Sequence, residues 1–292
     1  MKEAFRPWDP SRSSKALLFS IDEILREYAN LGYRLTLRQL YYQLVARDII
    51  PNQVTMYTKL GNIVSRGRLA GIIDWAMIED RTRKPVSNPH WNSPQEILKA
   101  AADSYYLDRW KDADQHVEVW CEKDAVSNIL TPICRRWDLT FMANRGYSSQ
   151  SAVYDGYQRL VKAGEDGKDL TILYLGDHDP SGLDMSRDIA DRLHLMLPSW
   201  APVEVDRIAL NLDQIELYNP PENPAKVTDS RYQTYADVFG ESSWELDALP
   251  PQVLERILGD AIHRYVNAAV FMRVEQQEQQ DKGRIRELIK QF

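Results

Sequence analysis

Three acidic residues stand shortly after two apolar segments of this sequence. Glu122 follows the segment 116–121, and Asp177 and Asp179 follow the segment 170–175. Each segment is predicted to be a buried strand. If the two strands are neighbours in a parallel sheet, the three carboxylates meet at one edge. Three hard oxygen ligands suit Mg²⁺, which keeps several waters and binds phosphate oxygens. The pattern predicts a magnesium site for phosphodiester chemistry on nucleic acid.

The two aspartates are separated by one residue, His178. In an extended segment this spacing puts Asp177 and Asp179 on one side and His178 on the other, where a structural role is expected. Two carboxylates this close repel each other unless a cation or a proton lies between them. The alternative is a pair of turn residues that cap the helix predicted to begin at 183. The preceding Glu122 favours the metal site.

Two basic residues near the predicted strand ends have open roles. Lys123 could contact a phosphate, or it could be a solvated residue at the end of a strand. Arg145 follows a predicted strand and precedes a predicted helix, where a cation and backbone N–H groups could meet a phosphate. A place in a surface turn is equally compatible with Arg145.

The elements that must position these residues alternate between short apolar segments and segments of helical periodicity. Strands are predicted at 116–121, 140–143, 170–175 and 203–209, and helices at 125–137, 149–163, 183–197 and 251–274. This alternation predicts an α/β fold with a mainly parallel sheet covered on both faces, and a C-terminal helical elaboration. Ligands of such sheets bind beyond the carboxyl ends of the strands.

The first part of the sequence is predicted to be mostly α-helical. Helices are predicted at 13–30, from 37 to before Pro51, and at 53–68, followed by a strand at 72–79. Thr36 and Gln39 form a capping-box pattern at the start of the second helix. Helix, turn, helix and strand with clustered basic residues is the pattern of a winged-helix DNA-binding domain. The predicted domains are therefore 1–93, which ends in a loop, and 94–292.

Composition is that of a globular protein without a membrane anchor. Of the 292 residues, 43% are hydrophobic and 27% are charged, and no apolar run is long enough to span a bilayer. The two cysteines argue against a disulfide framework and favour the cytoplasm. The net charge of −7 argues against DNA binding, but residues 34–84 hold nine Lys or Arg and four acids. A local basic face can bind phosphate on an acidic protein.

Several short motifs, taken together and in order, resemble one enzyme family. They are Leu-Arg-Gln-Leu-Tyr-Tyr at 37–42, Glu122, Gly-Tyr-Ser at 146–148, Gly-Asp-His-Asp-Pro-Ser-Gly at 176–182 and Trp-Glu-Leu-Asp-Ala-Leu at 244–249. This set resembles the family of the topoisomerase VI A subunit and the meiotic double-strand-break transesterase, and is most similar to its compact, stand-alone Mini-A members. The resemblance implies a winged-helix domain followed by a Toprim domain.

The resemblance also implies a mechanism. Family members cleave double-stranded DNA with a tyrosine that becomes linked to the 5′ phosphate, and that position falls on Tyr42. Glu122, Asp177 and Asp179 would hold Mg²⁺. The family acts as a homodimer, with the tyrosine of one subunit near the metal site of the other. Arg38, one helical turn before Tyr42, is expected to favour the phenolate and to assist catalysis.

Three departures and two alternatives accompany this hypothesis. The sequence before the tyrosine motif is short, it contains no Gly-rich ATP-binding motif, and His178 stands where a small or acidic residue is expected. Strand passage would therefore need a separate ATPase subunit. One alternative is a Toprim nuclease that hydrolyses DNA with metal-activated water and without Tyr42. The other is a non-catalytic DNA-binding assembly subunit. In each case the expected location is the cytoplasm, on nucleoid, plasmid or viral DNA.

Overall fold

The computed structural model describes residues 2–79, 88–144 and 146–290, and within these ranges the chain is an α/β protein. The helices are α1 (Arg12–Asn30), α2 (Leu37–Ala46), α3 (Val54–Leu69), α4 (Pro94–Asp103), α5 (Ser127–Arg136), α6 (Gln150–Glu165), α7 (Pro180–Met196), α8 (Leu212–Tyr218), α9 (Tyr232–Phe239), α10 (Pro251–His263) and α11 (Ala268–Ile289). The strands are β1 (Gln115–Cys121), β2 (Thr140–Ala143), β3 (Asp169–Leu175), β4 (Val203–Ala209), β5 (Glu222–Pro224) and β6 (Ser242–Trp244).

The central sheet is parallel and has the strand order β2-β1-β3-β4, which confirms the predicted sheet and the adjacency of β1 and β3. Side chains alternate between its faces, because successive residues of a strand point in opposite directions. Val119 and Cys121 pack with α5 and α10 on one face, whereas Trp120 packs with α6 and α7 on the other. Both faces are therefore covered, and the last residues of β1 and β3, Cys121 and Leu175, lie side by side.

The N-terminal helices form their own core and contact the sheet region through α2. Helix α2 begins with the predicted capping box, in which Thr36 and Gln39 exchange side-chain and backbone hydrogen bonds. Its apolar residues Leu40 and Leu44 are fully buried among the residues of α1 and α3. Ala248, from a short 3-10 helix at Leu246–Ala248, packs into this same core. This contact places the tyrosine-bearing helix beside the carboxyl edge of the sheet.

The predicted strand at 72–79 is wrong, so the described residues lack the strand that would begin a wing. Asp74 accepts a hydrogen bond from the backbone N–H of Ala76 and starts a 3-10 helix at Trp75–Met77. Ile78 of this segment forms a single parallel β-bridge with Leu35. A local side-chain cap has replaced the sheet ladder here. Residues 80–87, which include Arg81, Arg83, Lys84 and part of the predicted loop, lie outside the described residues.

The C-terminal elaboration comprises α8 to α11 and a two-stranded antiparallel sheet of β5 and β6. The single helix predicted at 251–274 is wrong in one respect, since α10 ends at His263 and α11 begins at Ala268, where Asn267 caps the new helix. Among the described helices, none is both long and apolar enough to cross a membrane.

Candidate active site

Glu122 and Asp177 meet at the carboxyl edge of the sheet, as the adjacency of β1 and β3 requires. The backbone N–H of Asp177 donates to Glu122 Oε2 at 2.8 Å, and both side chains are buried. Gly182 packs tightly against both residues. A Cβ at position 182 would lie 2.3 Å from the backbone oxygen of Asp177 and 3.1 Å from Glu122 Oε2, so only glycine fits without a shift. Burial raises the pKa of Glu122, and the neighbouring charge of Asp177 raises it further.

Asp179, the third predicted ligand, has a different role in the structure. It is the N-cap of α7, where its Oδ1 accepts hydrogen bonds from Gly182 N at 2.5 Å and from Ser181 Oγ at 2.9 Å. Asp179 is therefore a helix-capping residue, which was the alternative to its role as a metal ligand. This alternative does not apply to Asp177, whose Oδ1 accepts from the backbone N–H of Leu246 at 2.8 Å.

A different group of three acids converges beside Asp177. Oxygens of Asp177, Glu245 and Asp247 all lie within 4.8 Å of one another, and this group could hold a metal ion. It is the sole such group among residues 2–79, 88–144 and 146–290. The chain reaches this point because Trp244 and His178 form an antiparallel bridge, which brings the following residues to the sheet edge. We call Asp177, Glu245 and Asp247 the acidic cluster.

Glu245 and Asp247 did not figure among the predicted ligands. Both belong to the Trp-Glu-Leu-Asp-Ala-Leu segment, which in the sequence indicated only the family resemblance. A signal was present, since Glu245 and Asp247 are separated by one residue, like Asp177 and Asp179. What the sequence lacks is the pairing of this segment with the end of β3, 69 residues away along the chain.

Two basic side chains contact the acidic cluster. The Nζ of Lys123 lies 2.8 Å from Asp177 Oδ2 and 3.0 Å from Asp247 Oδ1, and it also contacts Glu245 Oε2. Arg38 lies 2.7 Å from Glu245 and 3.0 Å from Asp247. Burial lowers the pKa of Lys123, but the carboxylates of Asp247 and Asp177 raise it more, so Lys123 stays an ammonium ion. Three carboxylates therefore face two positive charges.

Arg38 joins the acidic cluster to Tyr42. Its Nη2 lies 3.4 Å from the Tyr42 hydroxyl, and its guanidinium carbon lies 5.7 Å from the centre of the Tyr42 ring. Burial raises the pKa of Tyr42, while Arg38 and a hydrogen bond from Asn223 lower it by less. Arg38 thus lowers the pKa of Tyr42, as predicted, but burial raises it by more. The phenol is therefore neutral at physiological pH. Tyr42 as a whole residue is 4% exposed.

Tyr41 and Tyr42, adjacent on α2, differ in their surroundings. The Tyr41 hydroxyl donates to Asn52 Oδ1 at 2.9 Å and accepts from the backbone N–H of Gln53 at 2.7 Å. Both rings line a cavity of about 290 Å³, in which Tyr42 is the one that also contacts Arg38. A second cavity, of about 510 Å³, lies between α3 and the start of α2 and also reaches Arg38.

Arg207 on β4 holds the loop that carries Asp177. Its guanidinium donates to the backbone oxygens of Asp177 at 2.5 Å, Gly176 at 3.2 Å and Gly182 at 2.9 Å. Sequence reasoning missed this residue, because its partners are backbone groups that leave no pattern of residue types. Arg145 lies outside the described residues.

His178 is enclosed by aromatic rings, and its Nδ1 lies 2.9 Å from the Tyr235 hydroxyl. Its ring lies 5.7 Å from that of Tyr235, 4.9 Å from that of Phe239 and 5.7 Å from that of Trp244. Burial lowers the pKa of His178 to about 4, so the imidazole is neutral near pH 7. These contacts give His178 a structural role in packing β6 against the loop after β3.

No protein-family model matches the chain, and no curated protein matches it. The candidate site is defined by its own geometry. The acidic cluster, Arg38 and Tyr42 are its main components.

Proposed function

We propose that this protein is a Mg²⁺-dependent enzyme that cleaves double-stranded DNA by transesterification at Tyr42, like the topoisomerase VI A-subunit family. In this proposal the N-terminal helices correspond to the helical part of a winged-helix domain and the sheet region to a Toprim domain. The observation that carries it is a continuous chain of contacts from Tyr42 through Arg38 to Glu245 and Asp247. A candidate nucleophile and a candidate metal site thus share one cleft.

The acidic cluster has the donor set that Mg²⁺ requires. Its ligands are hard carboxylate oxygens, and a cation already lies among them in the form of the Lys123 ammonium. We assign the ion to Asp177, Glu245 and Asp247, whose oxygens converge. The other two residues of the predicted ligand set have protein partners, since Glu122 accepts from the backbone N–H of Asp177 and Asp179 caps α7. When bound, Mg²⁺ would neutralise charge on the phosphate and on the departing oxygen.

The residues of the chain would act as follows. The Tyr42 oxygen forms a bond to phosphorus, the bond from phosphorus to the 3′ oxygen breaks, the phenol loses its proton and the 3′ oxygen gains one. Because burial raises the pKa of Tyr42, the proton must leave as the new bond forms. Arg38 and Asn223 both favour the negative charge that develops on the phenolic oxygen.

Arg38 is the basic residue that we expect DNA to meet at the cleft. Several other basic residues of the N-terminal helices are, like Arg38, paired within the chain. Arg47 pairs with Glu27 at 2.9 Å, and Arg66 stacks on Trp8. A net charge of −7 therefore makes DNA binding dependent on divalent cations. A homodimer, a separate ATPase subunit and a cytoplasmic location on DNA belong to this proposal through the family resemblance.

Hydrolysis is the second candidate function. It is favoured by the burial of Tyr42 and by its raised pKa, since both keep the phenol unreactive without rearrangement. In this case Tyr42 would position Arg38, and a water molecule activated in the acidic cluster would attack the phosphate.

The test is incubation of the protein with supercoiled plasmid and Mg²⁺, followed by denaturing gels with and without protease. Transesterification leaves protein attached to 5′ ends, whereas hydrolysis leaves free 5′ phosphates. Tyr42→Phe should abolish cleavage, and its neighbour Tyr41→Phe should retain it. Cleavage by Tyr42→Phe at the wild-type rate would exclude the first function and support the second.

A further inference from the structure

Lys123 occupies a position that a divalent ion would need. Its ammonium contacts all three members of the acidic cluster, whereas the contacts of Arg38 are with Glu245 and Asp247. The Asp247 side chain is fully buried and that of Asp177 is 8% exposed, so their charges need a partner inside the protein. Without the ammonium, the three carboxylates would repel one another.

The backbone of Lys123 is held by a hydrogen bond, whereas its ammonium is held by ion pairs with the acidic cluster. Lys123 follows Glu122 at the end of β1, and its N–H donates to Cys121 Sγ at 3.4 Å. The lysine stem is flexible and its ammonium is a compact point charge, so it can leave a carboxylate group by rotation about side-chain bonds. The backbone that positions Glu122 would stay in place during such a movement.

We propose that Lys123 is a built-in cation of the acidic cluster, which it holds together in the metal-free protein and from which a divalent ion displaces it. The inference rests on the proposed metal site. Its physical basis is competition, because the oxygens that contact the ammonium are those that the ion would take. Lys123 is then a positioning residue that lowers the affinity for the ion and preserves the site in its absence.

The first test is titration calorimetry with Mn²⁺ on the wild type, on Lys123→Met and on Lys162→Met, an exposed lysine of α6. If the ammonium occupies the cluster in about nine of ten chains or more, Lys123→Met should bind Mn²⁺ about tenfold more tightly or better. Lys162→Met should match the wild type. In chelator, Lys123→Met should melt at a lower temperature, and Mn²⁺ should restore more of this loss than it adds to the wild type.

The second test uses the unaltered protein and does not depend on whether a variant folds. Lysines are acetylated with acetic anhydride with and without Mn²⁺, and modification is followed by peptide mass spectrometry. Lys123 should react slowly without the ion and faster with it, while Lys162 reacts equally in both. Equal or weaker Mn²⁺ binding by Lys123→Met, unchanged acetylation of Lys123, or no Mn²⁺ binding by any chain would each overturn the inference.

These outcomes are separate from the outcome for the proposed function. Tighter Mn²⁺ binding by Lys123→Met, together with a wild type that leaves plasmid DNA intact, would support the role of Lys123 and refute the proposed DNA cleavage. Cleavage by the wild type, with Mn²⁺ affinity unchanged in Lys123→Met, would do the reverse.

Discussion

Replacing Glu118 with glutamine should measure how strongly a buried charge stabilises β1, the strand that Glu122 follows. Glu118 lies on β1 with its side chain fully buried. Arg159 from α6 donates to both of its oxygens, at 2.8 and 2.7 Å, and Trp120 Nε1 donates to one of them at 2.9 Å. This is a bidentate, charge-assisted arrangement, which is among the stronger interactions available to a protein.

The size of the effect follows from the acidity of the group. Burial raises the pKa of Glu118, but hydrogen bonds from Arg159 and His116 lower it more, so that it falls from 4.5 to about 2. Since one pKa unit corresponds to about 1.4 kcal/mol, the ionised carboxylate stabilises the folded chain by roughly 3 kcal/mol at neutral pH. Because the folded pKa is the lower one, this stabilisation is complete above pH 4.5 and is lost as the pH falls toward 2.

The assay is urea unfolding of the wild type and Glu118→Gln at a series of pH values from neutral to about 3. The variant should be less stable by roughly 3 kcal/mol at neutral pH, and the difference should shrink steadily in acid. Glu216→Gln, an exposed acid on α8, should change the free energy of unfolding by less than about 0.5 kcal/mol. A difference for Glu118→Gln that is independent of pH would refute the reasoning, because it would mean that shape rather than charge stabilises β1.

Three further predictions concern the site. Gly182→Ala should lower the free energy of unfolding by about 1–3 kcal/mol, since its Cβ would meet the Asp177 backbone oxygen at 2.3 Å. The control is Gly259→Ala, which should not destabilise α10 because nothing lies within 4 Å of its Cβ position. Mg²⁺ at about 100 times its dissociation constant should stabilise the wild type by about 2.7 kcal/mol in thermal unfolding, and equal stabilisation of Asp247→Asn would contradict the ligand assignment. Because Arg38 links Tyr42 to Asp247 within one chain, we expect each chain to hold a complete site, so a mixture of Tyr42→Phe and Asp247→Asn chains should cleave no more plasmid than either alone. Restored cleavage would instead support the arrangement that the family resemblance implies, in which the tyrosine of one subunit acts at the metal site of the other.

The sequence by itself was sufficient for the elements that rest on neighbouring residues. The strands β1 and β3, the capping box at Thr36, and the meeting of Glu122 with Asp177 all follow from short apolar segments and from the rule that parallel strands present their carboxyl ends at one edge. The strand predicted at 72–79 is wrong for a related local reason. Its apolar residues resemble a strand, but the Asp74 side chain caps a 3-10 helix there.

The membership of the site was decided by the tertiary structure. Glu245 and Asp247 reach Asp177 only because β6 pairs with the loop after β3, and Lys123 lies among them only when all three are folded together. Burial, which raises the pKa of Tyr42 against the effect of Arg38, is likewise a property of the packed chain. Local patterns record which residues neighbour one another in sequence, whereas ion pairing and desolvation depend on segments that are distant along the chain.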